Sequence, residues 1–323
     1  MNPLFSLLEQ QYGLHPLSMK SASLGVGGES SMVRCNEGTF VVKFPAATAM
    51  DHPQAEPQLC QFLLQRGVPA CEFLQNKEGR YLTEDDTGRL FHVKKYAPGH
   101  IFAPHTAPEW LMEASGEMLG RIHAALRDYP ALPEGIGANF FRFMTPENAL
   151  QSYRRSLETA REKGDKEAEA DLLFRMEIAR RLAPYPFDEQ RLTLRNTHGD
   201  YTIHQLVCSE DSILSVIDWT CACVHPAVWE VFRSFLLAHP GAAEGAVDTD
   251  ALQRYLAAYC RHAPLTEYDL SQMLPLFFYQ LAVCDYWGQY FSSAAPNRHL
   301  FRNQAVYFTK VLRHLDKAMH PLT

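Results

Sequence analysis

Two acidic residues in the second half of the chain lie in contexts that favour chemistry. Asp200 closes the segment His198-Gly199-Asp200, and Asp218 follows the apolar run Ser215-Val-Ile. A carboxylate on a loop and another at a strand end could divide two tasks. One accepts a proton from an attacking hydroxyl, while the other holds a metal that bridges phosphate oxygens. The simpler alternative is a pair of turn aspartates, and the short motif leaves both alternatives open.

Further candidates lie near the N-terminus, where Leu24-Gly25-Val26-Gly27-Gly28-Glu29-Ser30-Ser31 joins two apparent strands. Glycines let backbone amides approach a phosphate closely, and Lys43 on the following strand would supply positive charge. Glu56, on the next predicted helix, could pair with Lys43 and fix its direction. Each feature has an ordinary alternative: a hairpin turn, a solvated lysine and an exposed glutamate.

The elements that must position these residues change type along the chain. Thr39 to Phe44 and Leu90 to Val93 have the β-branched and aromatic content of strands. Between them, the apolar spacing predicts a helix over Ala55 to Gln65. The first hundred residues are therefore the strand-rich part of the chain.

Helices dominate after Pro98-Gly99, and the first of them has Thr106 and Glu109 at the spacing of a capping box. We therefore expect a small α+β lobe over residues 1–95 and a larger, mainly helical lobe over 96–323.

Composition excludes several classes of protein. The chain has 323 residues, of which 46% are hydrophobic and 21% charged, so it can bury a core and is not a disordered protein. Its formal charge is −7, which argues against a nucleic-acid partner because phosphate binding needs a basic face.

Hydropathy and cysteine spacing give expectations for cellular location, disulfide bonds and zinc binding. The most apolar stretch, Met273 to Cys284, is too short to span a membrane, so no membrane partner is expected. The N-terminus has no basic segment ahead of its apolar residues, and we expect a soluble cytoplasmic protein. Eight scattered cysteines without a CxxC pair argue against a disulfide framework or a zinc site.

The order of these motifs resembles that of the aminoglycoside phosphotransferase and choline kinase superfamily. HGDYTIHQ is similar to the family's HGDxxxxN loop, VIDW to its ID[FW] segment, and Leu119-Gly-Arg-Ile-His123 to its LGRLH helix. The resemblance covers residues 20 to 235 or so. It implies a two-lobed, protein-kinase-like α+β fold with a nucleotide in the cleft between the lobes.

The resemblance also implies roles for individual residues. Asp200 would be the catalytic base, and His198 would orient its loop. Asp218 and Gln205 would bind Mg²⁺, with Gln205 standing where the family has an Asn. The residues that would bind ATP are Gly25, Gly27, Gly28, Ser30, Lys43, Glu56, and the backbone near Lys94 and Tyr96.

Three residues are candidates for contact with the acceptor. Glu230 lies in a segment that departs from the family's Gly-Asp-Pro-x-x-Asp run, and a structural role is the alternative for it. Asp285 and Trp287 belong to an aromatic and acidic cluster that could surround a cationic amine. The alternative for this cluster is an aromatic helix face packed in the core.

The prediction is thus an ATP-dependent phosphotransferase that acts on a hydroxyl of a small molecule such as an aminoglycoside, amino alcohol or sugar. The alternative, motivated by Gln205, is a nucleotide-binding pseudokinase with a regulatory or scaffolding role. A polypeptide kinase is disfavoured because no APE-like anchor follows Asp218.

Overall fold

The computed structural model describes residues 2–21, 28–45, 54–133, 145–184, 186–293 and 298–319. The chain divides into two compact units, Met1–Ile101 with Gln205–Cys221, and Phe102–His204 with Ala222–Thr323. The first unit therefore includes a segment from far along the chain. The division into lobes over residues 1–95 and 96–323 remains a prediction.

The described strands and helices have the following bounds. The strands are β1 (Pro16–Ser21), β2 (Gly28–Cys35), β3 (Gly38–Pro45), β4 (Thr83–Glu84), β5 (Leu90–Lys95), β6 (Leu194–Thr197), β7 (Leu206–Cys208), β8 (Ile213–Val216) and β9 (Cys223–Pro226). The helices are α1 (Pro3–Tyr12), α2 (Ala55–Gln65), α3 (Glu109–Leu126), α4 (Pro146–Glu162), α5 (Lys166–Arg181), α6 (Ala227–Ala238), α7 (Thr249–Cys260), α8 (Glu267–Val283), α9 (Tyr286–Ser292) and α10 (Arg298–Met319).

Five antiparallel strands form the sheet of the first unit, in the order β1-β2-β3-β5-β4. Strands β3 and β5 confirm the two strands predicted from composition. Successive residues of a strand point to opposite faces of the sheet. Val42 packs on α1 with Leu8 in an apolar core, so Lys43 lies on the other face, beside its cross-strand neighbour His92 on β5.

Helix α2 has the bounds that the sequence predicted. Pro57 lies in its first turn, where the missing N–H costs nothing. The buried face carries Leu59 and Leu63, and Glu56 is buried with them. A carboxylate so far from solvent needs a partner, because burying an unpaired charge is costly.

The late segment of the first unit contains the hairpin of β7 and β8. The backbone N–H of Val216 donates to the carbonyl of Pro69 at 2.7 Å, which ties the hairpin to the chain after α2. Strand β8 ends two residues before Asp218. This connection places Gln205 and Asp218 in the same compact unit as Lys43.

The second unit is mainly helical, with α6 at its centre. Apolar residues of α6, including Val228, Phe232 and Phe235, are fully buried. Strands β6 and β9 pair antiparallel beside it, and β6 leads directly into His198. No helix in the described part of the chain is both long and apolar enough to cross a lipid bilayer.

The predicted capping box at Thr106 and Glu109 is wrong. Helix α3 begins at Glu109 after Pro108, and no side chain caps it. The hydroxyl of Thr106 donates instead to the carbonyl of Ala103 at 2.8 Å. The residue before a proline is disfavoured in the helical conformation, so the helix starts only after Pro108.

Helices α3 and α7 approach closely at Gly120, which belongs to the LGRIH motif. A Cβ at this position would lie 2.4 Å from the carbonyl oxygen of Tyr259, which is a backbone atom. Relief of that overlap requires the two helices to separate. The missing side chain of Gly120 is therefore a condition for this packing.

We expect Gly120→Ala to lower the free energy of unfolding. Overpacking costs about 1–3 kcal/mol, and the better helix propensity of alanine returns about 1 kcal/mol. The sum is a net loss of up to about 2 kcal/mol in urea denaturation, and a measurable loss is expected because the atom that the Cβ meets belongs to the backbone. The exposed Glu113→Ala in the same helix is the control, and a Gly120→Ala protein as stable as wild type would contradict the close contact.

Candidate active site

Lys43, Glu56 and Asp218 come together in the first unit, and we call them the Lys43 cluster. The Nζ of Lys43 lies 2.9 Å from Oδ1 of Asp218 and 4.0 Å from Oε2 of Glu56. The side chains of Lys43 and Glu56 are 7% and 3% exposed, whereas that of Asp218 is 38% exposed. A buried ammonium is costly unless it is paired, and two carboxylates pair it here.

Asp218 has an uncommon backbone conformation, with a φ of 60°. This left-handed region is one that aspartate tolerates better than most residues. Its Oδ1 accepts hydrogen bonds from Lys43 and from the hydroxyl of Thr220, each at 2.9 Å. Burial opposes ionisation, but the charge of Lys43 and these hydrogen bonds hold the pKa of Asp218 below its ordinary value.

Gln205 is joined to the residue before Asp218 through the backbone, since the N–H of Ile217 donates to the carbonyl of Gln205 at 2.9 Å. Within the described residues, no group of three or more His, Cys, Asp or Glu could hold a metal. Mg²⁺ commonly takes one or two protein oxygens and completes its shell with phosphates and water. A carboxylate with an amide oxygen fits that kind of site.

The predicted phosphate-binding residues are only partly described. Ser30 on β2 is the cross-strand neighbour of Lys43, and Gly28 is the first residue of that strand. Gly25 and Gly27 lie outside the described residues.

Lys94 and Tyr96 lie at the end of β5 and just after it. The Nζ of Lys94 is 5.7 Å from the ring centroid of Phe73. Burial disfavours its charge, but the negative charges of the Cys71 thiolate, Glu56 and Asp218 raise the pKa of Lys94 above its ordinary value. The backbone N–H of Tyr96 donates to the carbonyl of Thr39 at 3.1 Å, so this donor is already used.

In the second unit, the buried carboxylate of Glu230 fixes the loop that carries Asp200. Its Oε2 accepts from the backbone N–H of His198 at 3.2 Å, and its Oε1 accepts from that of Tyr201 at 3.4 Å. Nε2 of His123 lies 2.9 Å from the same Oε2. Glu230 thus joins α6 to both ends of the loop, which supports a structural role over contact with an acceptor.

The surroundings of Glu230 favour its charged form. Burial raises the pKa of this carboxyl, yet the hydrogen bond and charge of His123 outweigh burial, with smaller effects of His198 and His225. Together they lower the pKa of Glu230 to about 2 from an ordinary 4.5. The carboxylate is therefore ionised at every pH at which the protein is expected to work.

Arg233, which sequence reasoning missed, pairs with Asp200. Its Nη2 lies 2.7 Å from Oδ1 of Asp200, and the two side chains are 14% and 35% exposed. Arg233 lies on α6, less than one turn after Glu230. The signal in the sequence is its place in the apolar helix AVWEVFRSFLLA, where a cation needs a partner.

Asp285 and Trp287 lie at the start of α9. Oδ1 of Asp285 accepts from the N–H of Gly288 at 2.7 Å, and Oδ2 accepts from the hydroxyls of Ser152 and Ser156 at 2.7 and 2.6 Å. Trp287 is fully buried. These contacts favour helix capping and core packing, and a role of either residue in acceptor binding stays a prediction.

This chain matches a family model in sequence and several solved structures in fold. A model of the phosphotransferase enzyme family (APH) matches residues 22–269. No curated protein matches the sequence. A spectinomycin phosphotransferase, solved with ADP and spectinomycin, superposes with a TM-score of 0.63 at 15% identity, covering 97% of this chain and 96% of that one.

Two other solved structures have a fold similar to that of this chain. An amicoumacin kinase, solved with AMP-PNP and Ca²⁺, has a TM-score of 0.65 at 12% identity and covers 95% of this chain and 92% of that one. A microcompartment-associated aminopropanol kinase has a TM-score of 0.61 at 11% identity, with 98% and 96% covered. At such identities the likeness shows the fold alone, and it confirms the predicted kinase-like α+β fold.

We expect Glu230→Gln to destabilise the second unit in a pH-dependent way. A pKa lowered from 4.5 to about 2 stabilises the folded state above pH 4.5, and this stabilisation is lost as the pH falls toward 2. The shift corresponds to about 3 kcal/mol at pH 7. Urea unfolding of both proteins at pH 7 and pH 3 should show that difference at pH 7 and a smaller one at pH 3.

The exposed Glu113→Gln serves as the control for this comparison. A difference between wild type and Glu230→Gln that stays constant from pH 7 to pH 3 would show that the charge of Glu230 does not stabilise the loop.

Proposed function

The chain belongs to the phosphotransferase enzyme family, and from this premise we propose that it transfers the γ-phosphoryl group of ATP to a hydroxyl of a small molecule. The observation that carries the proposal is the Lys43 cluster. Its ammonium is almost fully buried and is held between a buried carboxylate and a partly exposed one. That arrangement suits a cation whose final partner is an anion delivered by a ligand.

Lys43 would contact the phosphates of the nucleotide. Glu56 holds the lysine from the buried side, and the backbone N–H of Trp219 donates to Oε1 of Glu56 at 3.4 Å, which fixes the carboxylate in turn. When phosphate oxygens of the nucleotide replace Asp218 as the partner of the Lys43 ammonium, the carboxylate of Asp218 would become available to a metal.

Asp218 and Gln205 would hold the divalent ion, which we propose to be Mg²⁺. When bound, it would neutralise charge on the phosphate oxygens. Gln205 offers the same ligand atom as asparagine on an arm with one more rotatable bond, so ordering it costs more side-chain entropy. Thr220, which donates to Oδ1 of Asp218 at 2.9 Å, helps to orient that carboxylate.

Asp200 would act on the acceptor. Its carboxylate accepts the proton of the hydroxyl as the oxygen bonds to the γ-phosphorus, while the bond to the leaving ADP breaks. His198 supports the loop from within, since its Nδ1 accepts from the backbone N–H of Asp200 at 3.3 Å. Glu230 holds the same loop from α6.

The acceptor class is proposed from the relatives. The similar structures include phosphotransferases solved with spectinomycin and with kanamycin, and an aminopropanol kinase. We therefore propose a hydroxyl-bearing acceptor of comparable size, such as an aminoglycoside, amino alcohol or sugar. The carboxylate of Asp285 already accepts three hydrogen bonds, which disfavours its use to hold a cationic amine.

The test is a panel of spectinomycin, kanamycin, aminopropanol and water as acceptors, with MgATP and a coupled assay of ADP release. Asp200→Asn should lower turnover by about 10²–10⁴-fold, because asparagine cannot take the proton. The affinity for ATP should change little, since the role assigned to Asp200 does not involve the nucleotide.

Near-normal turnover by Asp200→Asn would exclude Asp200 as the base. If wild type binds MgATP but does not release ADP with any acceptor of the panel, water included, the pseudokinase alternative is the correct one.

A second prediction concerns Lys43. A hydrogen bond to a charged group is worth about 1.5–3 kcal/mol, so Lys43→Ala should weaken ATP binding by about 10- to 100-fold. Adenosine has no phosphates and should bind both proteins equally. Isothermal titration calorimetry with both ligands checks this, with the exposed Lys20→Ala as control, and an equal loss for ATP and adenosine would make Lys43 structural.

A further inference from the structure

Arg233 makes its ion pair with the proposed base through one nitrogen. Nη2 lies 2.7 Å from Oδ1 of Asp200, and the guanidinium lies over the ring of Trp229, 5.5 Å from its centroid. The loop His198 to Gln205 contains no lysine or arginine of its own. The positive charge beside Asp200 is therefore supplied by α6 and not by the loop.

The other end of the guanidinium is left without a partner. Nη1 of Arg233 is buried and has no hydrogen-bond partner among the described residues. A buried donor without an acceptor destabilises the fold, and such groups in native proteins call for an explanation. Arginine–carboxylate pairs are frequently bidentate, whereas this one uses a single nitrogen.

The exposure of Asp200 also indicates that its ion pair with Arg233 is not needed for stability. Replacing a buried ion pair by apolar side chains is often neutral or stabilising, so such a pair is weak support for a fold. Asp200 is one-third exposed, and water would solvate its carboxylate if the guanidinium were removed. The pair thus contributes little to stability and has a direct effect on one carboxylate oxygen.

We propose that Arg233 is a positioning residue for phosphoryl transfer, which holds Oδ1 of Asp200 so that the carboxylate meets the acceptor hydroxyl in one orientation. The inference rests on the proposed function, because it assumes that Asp200 is the base. Arg233 acts through Asp200, so its loss lowers kcat and leaves the KM for ATP unchanged. A misplacement of a reacting group by about 1 Å can cost about 100-fold in rate.

The test compares Arg233→Met, Arg233→Lys and Arg233→Ala with wild type. The assay is ADP release from MgATP with spectinomycin, kanamycin, aminopropanol and water as acceptors. Arg233→Met should lose about 10- to 100-fold in kcat, with an unchanged KM for ATP and a urea midpoint equal to or above that of wild type. Arg233→Lys, which can replace the single contact to Oδ1, should be several-fold faster than Arg233→Met.

Chemical rescue separates positioning from a structural role. Guanidinium ion added at millimolar concentration should raise kcat of Arg233→Ala and leave Asp200→Asn unchanged. Arg313→Met is the matched control, because Arg313 also pairs with an aspartate, Asp171 at 3.5 Å, and lies over an aromatic ring, that of Phe174 at 4.1 Å. It should keep wild-type kcat.

The outcomes distinguish the inference from the function on which it rests. If Asp200→Asn is inactive and Arg233→Met keeps wild-type kcat, the positioning role is wrong and the proposed function stands. If Arg233→Met loses kcat together with its urea midpoint, and guanidinium does not rescue Arg233→Ala, Arg233 is structural. If Asp200→Asn keeps its turnover, Asp200 is not the base and the positioning role is wrong, while phosphoryl transfer itself stands. If wild type releases no ADP, both proposals fall.

Discussion

A buried ammonium that must be compensated is the constraint on which the first unit depends. Lys43 reaches the polar face of the sheet because Val42 occupies the apolar one, and on that face it is removed from water. Burial without a counter-charge would be prohibitive. Helix α2 supplies Glu56, and the hairpin of β7 and β8 leads to Asp218. The charge of Lys43 therefore brings three separate segments of the chain together. The partial exposure of Asp218 then distinguishes the two carboxylates: that of Glu56 is enclosed, and that of Asp218 is open to solvent.

In the second unit the buried charge that must be compensated is negative, the carboxylate of Glu230. Glu230 is enclosed by α6, yet it is charged, because His123 and two backbone amides of the loop bond to it. The backbone N–H groups of His198 and Tyr201 need acceptors, and the carboxylate of Glu230 accepts from both. The same hydrogen bonds stabilise the charge of Glu230. The loop is therefore held by this charge in addition to the packing of its buried side chains Tyr201 and Ile203. A loop held in this way can present the partly exposed Asp200 to solvent without losing its own conformation.

Sequence reasoning was most successful where local composition and burial agree. Strands β3 and β5 and helix α2 have strong periodic patterns, and the proximity of Lys43 to Glu56 follows from a strand and a helix that are consecutive in the chain. It failed at Thr106, where a capping pattern was present but Pro108 decided where the helix starts. It missed Arg233 and the pairing of His123 with Glu230, because both depend on contacts between residues more than 30 positions apart. Periodicity describes one element at a time, and it carries no information on which elements share a buried charge.

The route of the chain between the two units determines when the first one can be completed during synthesis. The chain leaves that unit after Ile101, returns at Gln205 and leaves again after Cys221. Asp218 is therefore translated 175 residues after Lys43. At about 5–20 residues per second, this separation corresponds to roughly 9–35 s on the ribosome. Throughout that time the N-terminal sheet has its lysine and its glutamate but neither the second carboxylate nor the hairpin. The nascent chain thus holds an incomplete unit for longer than most isolated domains need to fold.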